Sequence, residues 1–305
     1  PSGVEYHRLL DIGRGEVARR ASRPISQRFA RAALRWLALR PSLLAIVFAL
    51  ARLVGVAPSV PNARPAPKIA HPRRVIALGG CVQAAAAPHF DAALARVFDA
   101  AGIGLEIRPG CCGALSFHLG AEEEARSLAR ARIDAMDGAE AITTCASGCA
   151  AFIRDWPDLL AADHVYAEKA RTAAARLVDP VEVLTASPPK VSRAPARPRI
   201  AVHDPCTLIN GPGLGGAVAR LLGGLGYDPV TPADGGACCG SAGAYSLFQP
   251  GFAKRLRADK IAALSAGAPD AIVTANIGCW LHLAVASPTP VRHWIEAIDD
   301  LISRP

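Results

Sequence analysis

The sequence predicts an α/β fold: two duplicated Rossmann-like domains, each built on a parallel sheet, preceded by an α-helical segment. Three observations carry this. Short apolar runs of strand character alternate with longer amphipathic runs of helical period between residues 74 and 279. The alternation runs through once and then repeats. The tetrapeptide "GCCG" at 110–113 returns as "ACCG" at 237–240, each time after a strand and before a helix.

In chain order, residues 4–21 and 26–55 read as helices, the second interrupted by Pro41. The apolar run from Leu43 to Ala51 is shorter than the ~20 residues a membrane span needs. A buried helix pair is the first expectation. The competing one is a basic, amphipathic surface lying on an anionic membrane. A proline-rich linker, 57–72, follows. Strand "RVIALGG" then runs up to Cys81, helix "FDAALARVFDAAG" follows, and strand "GLEIRPG" leads into Cys111 and Cys112. Helix "AEEEARSLARARIDAM" and strand "AEAITTCASG", ending at Cys149, complete the first copy. After a second proline-rich joint, 187–198, strand "PRIAVHDP" leads into Cys206 and helix "GGAVARLLGGLG". Strand "YDPVTPADGG" leads into Cys238 and Cys239, and helix "GFAKRLRADKIAALSAG" and strand "PDAIVTANIG" lead into Cys279. The predicted units are therefore 1–70, 71–198 and 199–305.

With 305 residues, 51% hydrophobic and 20% charged, the chain can bury a large core. Its net charge of +8 is unevenly placed: residues 1–75 carry 14 basic and 3 acidic groups, the remainder 20 and 23. That pattern describes a basic segment on a near-neutral globule, so no nucleic-acid partner is expected. Nine cysteines, an odd number, argue against a closed disulfide framework, and adjacent cysteines bond to each other only with strain. Together with the lack of a secretory signal pattern, this points to a reducing compartment: cytoplasmic, at most peripheral on the inner face of the cytoplasmic membrane.

The cysteine spacing carries the chemistry. Cys81 to Cys111 is 30 positions and Cys206 to Cys238 is 32; Cys112 to Cys149 is 37 and Cys239 to Cys279 is 40. In an open parallel sheet the strand ends share one edge, so one, two and one cysteines converge into four thiolates per copy. A paired thiol offers two soft ligands from one turn, which suits an iron–sulfur cluster. Flanking glycines permit close backbone approach. Structural zinc, as in an interaction module, and a dithiol redox site remain as alternatives. Cys145 has Ala275 at its counterpart position, and His282 follows Cys279 at C-x-x-H spacing; both are accessory candidates, with a core thiol and a packed histidine as the plainer readings. "NGPGLGGAV" reads as a turn entering a helix, and His203–Asp204–Pro205 as a turn that orients Cys206.

The duplicated C…CCG…C pattern resembles the CCG (cysteine-rich) domain family. That family includes the cysteine-rich subunit of heterodisulfide reductase, the iron–sulfur subunit of anaerobic glycerol-3-phosphate dehydrogenase and the glycolate oxidase iron–sulfur subunit. "GCCGALSFHLG", "HDPCTL", "CCGSAGAYSL" and "TANIGCWLHL" are similar to signatures of the last. The resemblance implies cluster ligation by Cys81, Cys111, Cys112 and Cys149, and by Cys206, Cys238, Cys239 and Cys279. It implies one or two clusters of 4Fe-4S type and electron transfer from an FAD-binding dehydrogenase partner to a quinone-type acceptor; the basic front segment, by its charge placement, is expected to dock on that partner or peripherally on the membrane. It also implies a preceding ferredoxin-like domain, which the opening "PSGVEYHRLLDIGR" is expected to follow and this chain to lack. Heterodisulfide reductases end each copy in C-x-x-C; here those positions are Phe152 and His282. That departure weighs against their noncubane cluster and their disulfide chemistry.

Overall fold

The computed structural model describes residues 9, 13, 15–17, 20, 23–61, 64–67, 69–192, 194, 197–234 and 236–302. Most of the predicted helix 4–21 lies outside these residues.

In the first copy, β1 (Arg73–Gly79) is the central strand, flanked in parallel by β2 (Ile103–Pro109) and β3 (Ile142–Thr143). In the second, β4 (Arg199–His203) takes the place of β1, and β5 (Asp228–Val230) and β6 (Ala271–Thr274) flank it in the same order. Val75, Ile76, Ala77 and Leu78 of β1 are buried without interruption, as a strand covered on both faces requires. The duplication read from the sequence is thus a duplication of sheet topology.

The structure adds a fourth strand position. β7 (Val291–His293) pairs in parallel with β6, Ile272 opposite Val291. The first copy keeps a trace of it, since Leu177 bridges Ile142 and the Val178 N–H donates to the Ile142 carbonyl at 2.9 Å. A helix closes each copy, α1 (Pro180–Ala186) and α2 (Trp294–Ile302), and the same device starts both. The Asp179 N–H donates to Glu182 and the His293 N–H to Glu296, each at 2.8 Å. At three residues, β7 is too short for a period-two signal, which is why the sequence pattern does not reveal it.

Helix α3 (Pro88–Ala100) of the first copy packs on α2 of the second. Val97, Phe98 and Ile103 share one core with Val202, Trp294, Ile298 and Leu301. Phe90 meets Trp280 edge to face at 5.2 Å. The proline-rich joint lies along this seam: the Lys190 N–H donates to the Ala100 carbonyl and the Ala194 N–H to the Leu225 carbonyl, both at 2.9 Å.

The expectation of a buried front helix pair is corrected. Helices α4 (Ile25–Ala38) and α5 (Pro41–Leu53) bend by 106° at the break before Pro41, and of their residues only Ala38 and Leu44 are buried. Ile25, Phe29, Trp36, Ile46, Leu50 and Leu53 are exposed. Apolar side chains remain on the sides of both helices that the underlying surface does not cover. Among the described residues no single helix is long and apolar enough to cross a membrane. The pair is nevertheless tied to both copies. Phe48 packs into the second-copy core, Arg52 donates to the Ala86 carbonyl at 2.5 Å, and the Arg31 guanidinium sits 4.6 Å over the Phe248 ring.

Asp91, at the start of α3, is buried and accepts from Gln83 Nε2 at 2.5 Å. Burial pushes its carboxyl up to about 7, against the smaller opposing effect of that hydrogen bond. A carboxyl raised in the folded state favours the protonated form, so its contribution to stability is fully present below pH ~4 and is lost as pH rises to about 7. Asp91→Asn keeps the acceptor and removes the ionisation. Denaturant titrations should show the parent losing about 4 kcal/mol relative to this variant between pH 4 and pH 8. A constant difference across that range would contradict the assignment.

Candidate metal centres

Each cysteine sits past the carboxyl end of a strand, as its spacing implied. Cys81 opens the short helix Cys81–Ala86 two residues beyond β1, Cys111 and Cys112 form the turn beyond β2, and Cys149 lies in the first turn of helix Ser147–Arg154. Cys206 opens helix Cys206–Asn210, Cys238 and Cys239 follow β5, and Cys279 lies in the first turn of helix Ile277–Ala284.

The thiols converge in both copies. Cys81 Sγ lies 3.4 Å from Cys111 Sγ, and Cys112 is within hydrogen-bond reach of both Cys111 and Cys149. Cys238 is likewise within reach of Cys206 and Cys239, and Cys239 of Cys279. The protons are shared unequally. Hydrogen bonds from Cys112 and Cys81 hold the Cys111 thiol well below the ordinary thiol range, and those donors are themselves pushed well above it. Cys238 is lowered in the same way by Cys206 and Cys239, which rise. Four thiols within mutual reach, one in each group favoured as the thiolate by its neighbours, are a donor set that a cation completes by displacing protons.

The glycine after each pair has a packing reason that the sequence pattern does not show. Gly113 has φ +94° and Gly240 φ +86°. A Cβ on Gly113 would stand 3.0 Å from the Ala125 carbonyl oxygen, and one on Gly240 2.6 Å from that of Ala253. The glycine's freedom therefore serves the approach of the turn to the next long helix as well as the positive φ. The same turn aims the Gly113 N–H at Cys111 Sγ (3.4 Å) and the Gly240 N–H at Cys238 Sγ (3.3 Å). In the first copy the Trp156 indole N–H anchors the Cys112 carbonyl at 3.1 Å.

The two accessory candidates are not brought into these groups. Cys145 is buried in the seam, its thiol 3.8 Å from the Phe90 carbonyl and its own carbonyl accepting from His293 Nε2 at 2.9 Å. His282 turns its Nε2 to the Ala253 carbonyl at 3.1 Å. Two other residues do reach the second group. His203 reads in the sequence as part of an orienting turn. It is buried, and one of its ring nitrogens, Cys239 Sγ and Cys279 Sγ all lie within 4.8 Å of one another. The side-chain amide of Asn276 donates to Cys279 Sγ at 3.5 Å and accepts from the Gly148 N–H at 3.3 Å. A histidine ending an otherwise apolar strand is the signal for the first; nothing in the sequence marks the second.

The groups face each other across the seam. The Ser147 N–H donates to the Ala275 carbonyl at 3.1 Å, and the Ser147 hydroxyl lies 2.8 Å from that of Thr207, next to Cys206. Two four-cysteine groups at equivalent sheet edges fit the cysteine-rich domain (CCG), which matches residues 75–154 and 200–284. The chain belongs to this family. It is 41% identical over 327 aligned residues to the glycolate oxidase iron-sulfur subunit of Escherichia coli (strain K12), covering 100% of this chain and 79% of that one. It is 30% identical to the probable glycolate oxidase iron-sulfur subunit of Bacillus subtilis (strain 168), over 69% of this chain and 49% of the relative. It is 26% identical to a subunit of the fumarate reductase (CoM/CoB) of Methanothermobacter marburgensis, over 67% of this chain and 40% of that protein.

The CCG glycines are open to a direct check. Gly113→Ala and Gly240→Ala should each lower stability in denaturant by ~1–3 kcal/mol, with the tighter Gly240 site losing more. Gly224→Ala, in open space at a helix end, serves as the control and should be neutral or stabilising. Equal, small effects at all three positions would contradict the packing account.

Proposed function

We propose that this chain is the iron–sulfur electron-transfer subunit of a glycolate (2-hydroxy acid) dehydrogenase complex. The observation that carries the reading is the pair of four-thiol groups at matched strand ends, in a chain similar along its whole length to the Escherichia coli subunit. The donor set fits such a cluster: adjacent soft thiols, one of them, Cys111, with its ionisation favoured by its neighbours and a backbone N–H aimed at its sulfur. Cys81, Cys111, Cys112 and Cys149 would hold one cluster, and Cys206, Cys238, Cys239 and Cys279 the other, both of 4Fe-4S type. When bound, such a cluster accepts and releases single electrons. The chain's own part is to ligate, to bury Cys81 and Cys111 more completely than their counterparts Cys206 and Cys238, and to hold both groups across the seam. Oxidation of the hydroxy acid belongs to an FAD-binding partner subunit, and the electrons pass on to a quinone-type acceptor. Phe152 packs on Gly113, and His282 is engaged by Ala253, at the two positions where heterodisulfide reductases add a cysteine. That packing favours plain electron transfer over disulfide chemistry.

The reading places the chain in the cytoplasm, with the outer side of α4 and α5 resting on the anionic inner face of the membrane. The support is the exposed apolar row, flanked by Arg23, Arg28 and Arg40, on a helix pair that contacts the Cys81 helix through Arg52. Each basic residue at such a surface contributes ~1 kcal/mol, and the attraction fades beyond ~8 Å at physiological salt.

Two measurements bear on these statements. Cys111→Ser and Cys238→Ser should each lower the iron content of anaerobically reconstituted protein by one site's share. Unchanged iron in both, or stoichiometric zinc in the parent, would overturn the cluster assignment. Replacing Ile46 and Leu50 together by Asp should abolish co-sedimentation with phosphatidylserine-containing vesicles and leave iron content intact. Sedimentation equal to the parent's, or insensitive to salt, would refute the membrane contact.

A further inference from the structure

Because the fold is duplicated, each copy is a control for the other. Leu78 and His203 each stand three residues before the first cysteine of their copy, and Ala146 and Asn276 each stand three before the last. In the first copy, then, both positions carry side chains without a polar hydrogen. In the second, both carry nitrogen groups, and both approach the sulfur of Cys279, His203 that of Cys239 as well. A ring nitrogen of His203 lies within 4.8 Å of Cys239 Sγ and Cys279 Sγ, and Asn276 Nδ2 donates to Cys279 Sγ at 3.5 Å. Neither group is loose. His203 Nδ1 is 2.9 Å from Thr274 Oγ1, and Asn276 is fixed through its oxygen by the Gly148 N–H.

We infer that His203 and Asn276 make the two centres unequal, holding the second at the higher reduction potential, so that an electron entering the chain settles at the Cys206–Cys279 end. This rests on the cluster assignment above. A hydrogen bond to a ligating sulfur, or nitrogen ligation in place of sulfur, stabilises the reduced, more negative state and raises the potential. Both nitrogen groups act in that direction, and only on the second centre. Greater solvent contact acts alongside them at two of the four positions, since Cys206 and Cys238 are half-buried while Cys81 and Cys111 are buried; the order reverses only at the last, where Cys149 is half-buried and Cys279 buried. Nearby charges do not reverse the order. Buried Lys260 beside the second centre is neutralised by Asp234 at 2.5 Å. Arg132, which faces Cys111, is partly solvated and already donates to the Pro109 carbonyl. The step is a one-electron exchange: the first centre is oxidised and the second reduced, with reduced flavin on the partner as donor and a quinone as final acceptor.

The test is a potentiometric EPR titration of the anaerobically reconstituted full-length chain. The parent should titrate in two steps, with at least a tenfold preference of the electron for the second centre, about 59 mV for a one-electron couple. Asn276→Ala and His203→Leu, which install the first-copy type of side chain, should each lower the upper step and leave the lower one in place. Combining them should bring the steps together. His203→Gln, which restores an N–H donor, should recover part of the shift at unchanged iron content. Coincident steps in the parent, or variants that move neither step or both equally, would overturn the inference and leave the cluster assignment standing. A single centre per chain overturns it as well. A parent that binds no iron would bring down the assignment on which it rests.

Discussion

The arrangement depends on a close approach that only glycine permits. At Gly113 and again at Gly240 the chain adopts a positive φ and lies against the backbone of the next long helix, at Ala125 and Ala253. That contact fixes the turn. The fixed turn sets two neighbouring thiols at the sheet edge, one of them receiving the glycine's own N–H. The remaining two cysteines of each group come from the first turns of helices that follow the central and third strands, so strand order alone delivers them to the same edge. A paired thiol on a glycine-lined turn is thus a consequence of packing as much as of ligation.

Duplication brings a second constraint, because two equivalent edges must be held relative to one another. The core shared by α3 and α2 does this for the bulk of the protein. The seam around Ser147, Gly148, Ala275 and Asn276 does it next to the thiols themselves. A proline-rich joint that reads as a boundary in sequence is here strapped down by Lys190 and Ala194. Proline-rich composition reports that a segment is neither helix nor strand; it does not report whether the segment is free.

The α/β class, the parallel pairing and the placement of all eight paired-group cysteines were legible because they rest on local period and on spacing, which sequence carries directly. Cys145 was separable from the rest by the mismatch with Ala275. Three features were not legible. β7 is too short to show alternation. The exposure of α4 and α5 depends on how much neighbouring surface is available to cover an apolar helix, and composition says nothing about that. The convergence of His203 and Asn276 on Cys279 is half a tertiary fact: Asn276 meets Cys279 within one helical turn, but only the sheet brings His203 to Cys239 and Cys279.

The central claim is that two groups of four thiols, one per copy, hold iron. The most direct measurement is anomalous diffraction at the iron absorption edge from anaerobically grown crystals of the reconstituted chain. The account predicts two anomalous peaks, one among Cys81, Cys111, Cys112 and Cys149 and one among Cys206, Cys238, Cys239 and Cys279. Peaks appearing only at the zinc edge, or no anomalous density at either group, would contradict it.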